Sequence, residues 1–326
     1  GLAEHLVSDA SLTGQDALDA LRAAKLCKAD LVTSAVIEFT SVQGVMGSYY
    51  ALASGETSQV AQAIEQHYRP RFAGDEVPET LVGKVVALAD KLDTICGLFA
   101  VNQGPSGSSD PFALRRSAIG IVAILSGDNP LPISLISAID ASLDLYAKAG
   151  IQFDATAVRS EVIDFFITRT RVMLRDSGKG LDAIDAVLAA GVQEPLELIH
   201  RVEALEQARS NEPDTFENLA TAYARANNLR DPNLGNNVDE SLLSEVEHAL
   251  SCAVVQAENR VALALEADNY ADALNELAAL RAPIDLFFER VMIMDEDQAL
   301  RENRLRLLNR FVGVFTNVAD FSLLSK

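Results

Sequence analysis

Residues 78–117, PETLVGKVVALADKLDTICGLFAVNQGPSGSSDPFALRRS, decide how this chain is read. The stretch has three parts. In Val82–Ala100 the apolar residues Val82, Val85, Val86, Ala89, Leu92, Ile95 and Cys96 recur at spacings of three and four, which predicts a helix with one buried stripe. Asn102–Ser109 is rich in Gly, Ser and Pro and reads as a loop. Asp110-Pro111 then opens a second helix, because Asp accepts bonds from orphan N–H groups and Pro is tolerated in a first helical turn. Arg115 and Arg116 fall just inside it, so acids (Asp90, Asp93), a loop and a basic pair lie close together in sequence. By residue type alone, an ordinary helix–loop–helix of a structural domain fits equally well.

Working outward, the same periodicity predicts helices at Gln15–Lys28, Gln43–Ala53 and Thr57–Tyr68, with Ala29–Phe39 continuing the apolar pattern. Beyond SGDNPLP come Ile133–Ala149, closed by Gly150, and a longer helix from Asp154. After the Ser177–Gly180 break the pattern predicts Leu181–Ala190, Glu194–Ala208, Glu212–Asn227, Glu240–Ala267, Tyr270–Leu280, a helix from Pro283, and Gln298–Phe315. No alternating strand of useful length occurs, so the expected fold is all-α, with a soft boundary between Gly150 and Gly180.

Composition bounds the rest. The 326 residues are 49% hydrophobic, enough for two domains with a substantial core. No apolar run approaches the roughly 18–20 residues a bilayer span needs, and no signal peptide is visible. The chain opens on Gly1 inside an apolar pattern and reads as a piece cut from a longer protein. Cys27, Cys96 and Cys252 are far apart and read as buried small hydrophobes, with neither disulfide nor zinc spacing, which suits a reducing cytoplasm. A net charge of −20 excludes indiscriminate nucleic-acid binding and leaves RNA open only if basic residues gather on one face. Neither GxxxxGK[ST] nor GxGxxG occurs, and four scattered histidines make no catalytic set.

The wording ADKLDT…GP.GS.DPFALRR resembles the beta subunit of the bacterial two-subunit glycyl-tRNA synthetase. So do KADLVT (28–33), FTSVQGVMGSYYA (39–51), HYRPRFAGDEVP (67–78), RAPIDLFFERVMIMDEDQALRENRLRLL (281–308) and VADFSLL (318–324), in the family's order and over almost the whole chain. The resemblance implies the C-terminal half of that subunit. It would comprise a degenerate HD-like helical domain over 1–150, a helical linker over 151–193, and a helical anticodon-binding domain of DALR type over 194–326. It also implies a tRNA-positioning role with no catalytic residue in this chain. Amino-acid activation, with ATP and Mg, would belong to the separate alpha subunit, in a cytoplasmic α2β2 assembly that charges tRNA-Gly and involves no membrane.

The HD pattern holds a divalent metal with a His, a His-Asp pair and a later Asp. Asp30 matches the Asp of the pair, but Ala29 stands where its His belongs; Asp90 matches the later Asp and His67 an additional His. With a ligand missing, the preferred reading is a set of remnants in an inter-helical polar cluster, with no metal. A metal-dependent phosphohydrolase and a protein-binding helical scaffold are the alternatives. The tRNA-facing candidates are Arg69, Arg71, Lys84, Lys91, Arg115 and Arg116. A second basic cluster follows, Arg159, Arg169, Arg171, Arg175 and Lys179. YARANNL adds Tyr223, Arg225 and Asn228, with Ala224 where the family has Lys, and Arg301 comes from the last helix. Asn303 and Arg304 are expected to fix the preceding loop, Arg304 by pairing with Asp295 or Glu296.

Overall fold

The computed structural model describes residues 1–72, 74–127 and 129–324, and among these there are helices and no strand. The helices are α1 (Leu2–Asp9), α2 (Gly14–Leu26), α3 (Ser34–Glu38), α4 (Val45–Ala53), α5 (Ser58–Gln66), α6 (Leu81–Ala100), α7 (Leu114–Ser126), α8 (Leu135–Lys148) and α9 (Ala155–Asp176). They continue with α10 (Leu181–Ala189), α11 (Pro195–Asn211), α12 (Pro213–Leu229), α13 (Glu245–Glu266), α14 (Tyr270–Ala278), α15 (Arg281–Arg290) and α16 (Gln298–Thr316). The all-α expectation therefore holds, and most helix ends fall within a few residues of the periodicity.

The chain divides into two compact units, Gly1–Met173 with Gln193–Leu196, and Leu174–Val192 with Glu197–Lys326. The stretch 151–193 is thus not the separate linker expected from sequence. Val158, Val162, Phe165 and Phe166 of α9 are buried in the first unit, while Ala183, Ile184, Ala186 and Val187 of α10 are buried in the second.

In the first unit α6 is the axis, packed by α1, α2, α5, α7 and α8. The Thr80 side chain caps it, accepting from Gly83 N at 3.0 Å. The expected stripe is buried, but so are Lys84, Leu88, Lys91 and Phe99 on its other sides. A helix covered all round must be apolar nearly all round, and its two lysines must find partners inside. Lys84 donates to the Asn129 carbonyl and Lys91 to the His67 carbonyl.

Two local expectations give way. The second helix begins at Leu114, not at Pro111, after Ala113 in the left-handed region (φ 54°). Asp110 still serves as its cap, reaching forward to accept from Leu114 N at 2.8 Å and Arg115 N at 3.0 Å. Nor is the apolar stretch Ala29–Phe39 buried throughout. It forms a 3-10 turn at Ala29–Val32 and the short α3, leaving Val32 (82%), Ile37 (67%) and Phe39 (64%) exposed.

The second unit is built on α12 and α16 with the 3-10 turn Phe321–Leu323. Phe315 is the hub of its core, with Tyr223, Phe311 and Phe321 rings at 5.2, 5.0 and 5.1 Å.

Candidate nucleic-acid interface

The residues at the HD-like positions are each tied to the protein. Asp30 is buried, and its Oδ2 accepts from the backbone N–H of Gly44 at 2.6 Å and of Gly47 at 3.1 Å. Gly47 has to be glycine here, since a Cβ would come within 2.8 Å of Ile64 and 3.1 Å of the Asp30 carboxylate. His67 is wholly buried, and its Nδ1 donates to the Ile64 carbonyl at 2.6 Å. Burial, and then the Lys28 charge, hold its imidazole down at about 4, so it is neutral at pH 7. Asp90 is paired with Lys28 at 3.0 Å, and that ammonium lies 4.4 Å over the Tyr68 ring.

This arrangement does not suit a divalent ion. A lysine already neutralises Asp90, Asp30 spends one oxygen on two backbone donors, and Ala29 offers no ligand atom. Among the described residues no group of three or more His, Cys, Asp or Glu is placed to hold a metal. Cys27 and Cys96 are buried, and burial pushes their thiols up to about 11 and about 12. Cys252, expected to be buried, is exposed beside His248.

The structure sorts the basic candidates by burial. Lys91 is inside the first unit, where burial brings its ammonium down to about 8, so it is a structural donor and not a surface contact. Lys84 is likewise buried. Arg69 pairs with Glu76 at 3.2 Å. Arg71 and Arg116 are exposed, and neither makes a side-chain hydrogen bond or ion pair among the described residues. They are brought together through Gly120. A Cβ there would meet Pro70 at 3.3 Å, so the Arg69–Arg71 loop lies against α7 one turn from Arg116. Arg115 donates from its guanidinium to the Gly107 carbonyl, which fixes the Gly/Ser loop to the same helix end. The helix N–H groups expected to welcome phosphate there are not free for it, because the Asp110 carboxylate already accepts from two of them.

In the second basic cluster Arg159, Arg169, Arg171 and Arg175 all lie on α9 but differ in their partners. Arg159 pairs with Asp140 at 2.6 Å and Arg175 with Asp176 at 2.7 Å, while Arg171 is exposed. Arg169 turns instead over the Phe165 ring at 4.9 Å.

In the second unit Tyr223 is 1% exposed, deep in the aromatic core with its hydroxyl donating to Asp320 at 3.2 Å, so it is not a surface contact. Burial comes first among the causes that push this phenol well above its usual range. Arg225 is exposed and lies 4.1 Å over Phe288, and Asn228 is exposed on an open groove lined also by Thr221, Asn227, Phe216 and Ser322. Arg301 donates to the Asp295 carbonyl at 3.0 Å. Arg304 binds Asp295 at 2.7 Å, as expected from sequence, and also Glu247 at 2.5 Å. Asn303 accepts from Asp239 N at 2.7 Å and donates to Asp239 O at 3.0 Å. Asn309, which the sequence reading passed over, donates to the carbonyls of Asp231 and Gly235 at 2.7 and 2.8 Å. It lies six residues after Asn303 on the same helix, and that spacing was the available signal.

Two family models match the chain. The family model for the glycyl-tRNA synthetase beta subunit matches residues 1–189, and the model for the DALR anticodon binding domain matches residues 219–321. The chain is 42% identical over 319 residues to the glycine–tRNA ligase beta subunit of Shewanella sp. (strain W3-18-1), covering 97% of this chain and 45% of that protein. It is 42% identical over 324 residues to the corresponding subunit of Desulforamulus reducens (98% and 46%), and 43% identical over 317 residues to that of Vibrio cholerae serotype O1 (96% and 45%). The chain spans less than half the length of these curated relatives. On these matches, the chain belongs to the glycyl-tRNA synthetase beta subunit family.

Proposed function

We propose that this chain is the tRNA-recognition portion of a glycyl-tRNA synthetase beta subunit. It holds tRNA-Gly for ATP-dependent glycylation whose amino-acid activation, with ATP and Mg, takes place on a separate alpha subunit in an α2β2 enzyme of the cytoplasm. The observation that carries the reading is the grouping of Arg71, Arg115 and Arg116 around one end of α7, in a chain whose net charge is −20. In such a chain a local basic face is what an RNA backbone would meet. The helical second unit, with Arg225 and Asn228 at its surface, supports contact with the anticodon arm, whose splayed bases are read by hydrogen bonding and stacking. Its contribution to the reaction is orientation: a held acceptor end converts an encounter into a positioned one.

We place the alpha subunit's landing surface at the exposed apolar residues Val32, Ile37, Phe39 and Tyr49.

The test is tRNA-Gly binding by this chain, followed by fluorescence anisotropy from 50 to 300 mM salt, with a non-cognate tRNA beside it. The expected result is preference for tRNA-Gly and affinity that falls as salt rises. Equal, salt-independent association with both would overturn it.

A further inference from the structure

We propose that Arg115 and Arg169, with Arg116 beside them, form a guanidinium clamp for one phosphate of a nucleic-acid backbone. The inference rests on the tRNA-binding reading above and names a site within it.

The clamp is assembled from elements more than fifty residues apart. Phe99, near the end of α6, packs on Phe165 of α9 with ring centroids 5.3 Å apart. The loop that follows α6 lies on Phe99, since a Cβ at Gly104 would stand only 3.1 Å from that ring. Arg169, one turn after Phe165, lays its guanidinium over the Phe165 ring at 4.9 Å. From the same loop, the Gly107 carbonyl accepts from the Arg115 guanidinium. One loop and one aromatic pair therefore bring two cations together.

That arrangement is costly unless an anion completes it. Arg169 is half-buried, and its Nε is buried with no hydrogen-bond partner. Burial, and then the charge of Arg115, disfavour its protonated form, while Asp110 favours it. Asp110 is an incomplete counter-charge, because it sets one negative charge against two guanidinium groups while its oxygens accept from Leu114 N and Arg115 N. A guanidinium presents a planar fork of donors, and a phosphate presents several acceptor oxygens that match it. The Asn102–Ser109 loop is open to solvent, and Arg116 and Arg71 extend the positive surface along α7. A continuous polyanion fits that stripe, whereas free phosphate would use only one end of it.

The experiment repeats the tRNA titration with Arg169→Ala, Arg169→Lys, Arg116→Ala and, as control, Arg22→Ala, whose residue pairs with Glu56. The expectation is a loss of about tenfold in affinity at 50 mM salt for Arg169→Ala and for Arg116→Ala, with the log–log salt slope shallower by about 0.9 in each. Arg169→Lys should fall between, keeping charge and losing the fork, and Arg22→Ala should match the parent. Arg116→Ala removes no side-chain bond of the described residues, so it keeps the test sound even where Arg169→Ala loosens the Phe165 contact. Inorganic phosphate at 10 mM, with ionic strength held constant, is expected to leave tRNA binding unchanged. Complete displacement by it would overturn the polyanion assignment. If the parent binds tRNA and both alanine variants match it in affinity and slope, the clamp alone is overturned. If the parent does not bind tRNA at low salt, the clamp and the tRNA-binding reading fall together.

Discussion

At the scale of single residues, burial decided the role of groups that the sequence presented alike. Lys91 and Arg116 are both cations in the same 40-residue stretch, yet one is an internal donor to His67 O and the other is exposed. Tyr223 carries an RNA-ready ring, but 1% exposure leaves it nothing to stack on except Phe315 and Phe321. His67 gives a prediction with a definite sign. Unfolded, its imidazole takes a proton near its ordinary value of 6.5; folded, it does so only near 4. In that window the unfolded chain binds the extra proton, so stability falls as pH drops from about 6.5 towards 4. The full window is worth on the order of 3 kcal/mol. His67→Gln should flatten that part of the pH–stability curve in urea unfolding. An unchanged slope would mean that His67 is not the group responsible.

Among elements, α16 does more than close the second unit. Asn303, Arg306 and Asn309, three residues apart, bond the backbone of Asp239, Leu234, Asp231 and Gly235 and so hold the loop before α13. A loop rich in Asn, Asp and Gly has little apolar surface of its own, so its order depends on these side-chain bonds. Asn303→Ala removes a donor and an acceptor that are both buried, and should cost about 2–3 kcal/mol. Hydrogen exchange should rise at residues 236–242 and not in α6. Exchange that stays slow there would show the loop ordered by something else.

For the molecule as a whole, acids outnumber bases and tie up arginines one by one, as in Arg22–Glu56, Arg159–Asp140, Arg209–Asp182 and Arg310–Glu258. The basic face on the first unit stands out because Arg71 and Arg116 escape this pairing among the described residues. Val32, Ile37, Phe39 and Tyr49 are apolar residues exposed on the first unit. If their surface receives the alpha subunit, Val32→Ser/Phe39→Ser should weaken co-purification and sedimentation of the two subunits together, with tRNA affinity and melting temperature little changed. Normal assembly would exclude that surface.

The sequence by itself determined the helices, because a 3.6-residue apolar period and Gly/Pro punctuation act locally. It also determined the family, through motifs such as ADKLDT and DPFALRR that run along the chain, and the damage to the HD pattern, through Ala29. Only the tertiary structure decided which charges face water. Lys28 comes to Asp90, Pro70 to Gly120 and Arg169 to the neighbourhood of Arg115 across separations that no local pattern encodes. The physical reason is that periodicity states which side of a helix is apolar, whereas the burial of a polar group depends on what the rest of the chain brings against it.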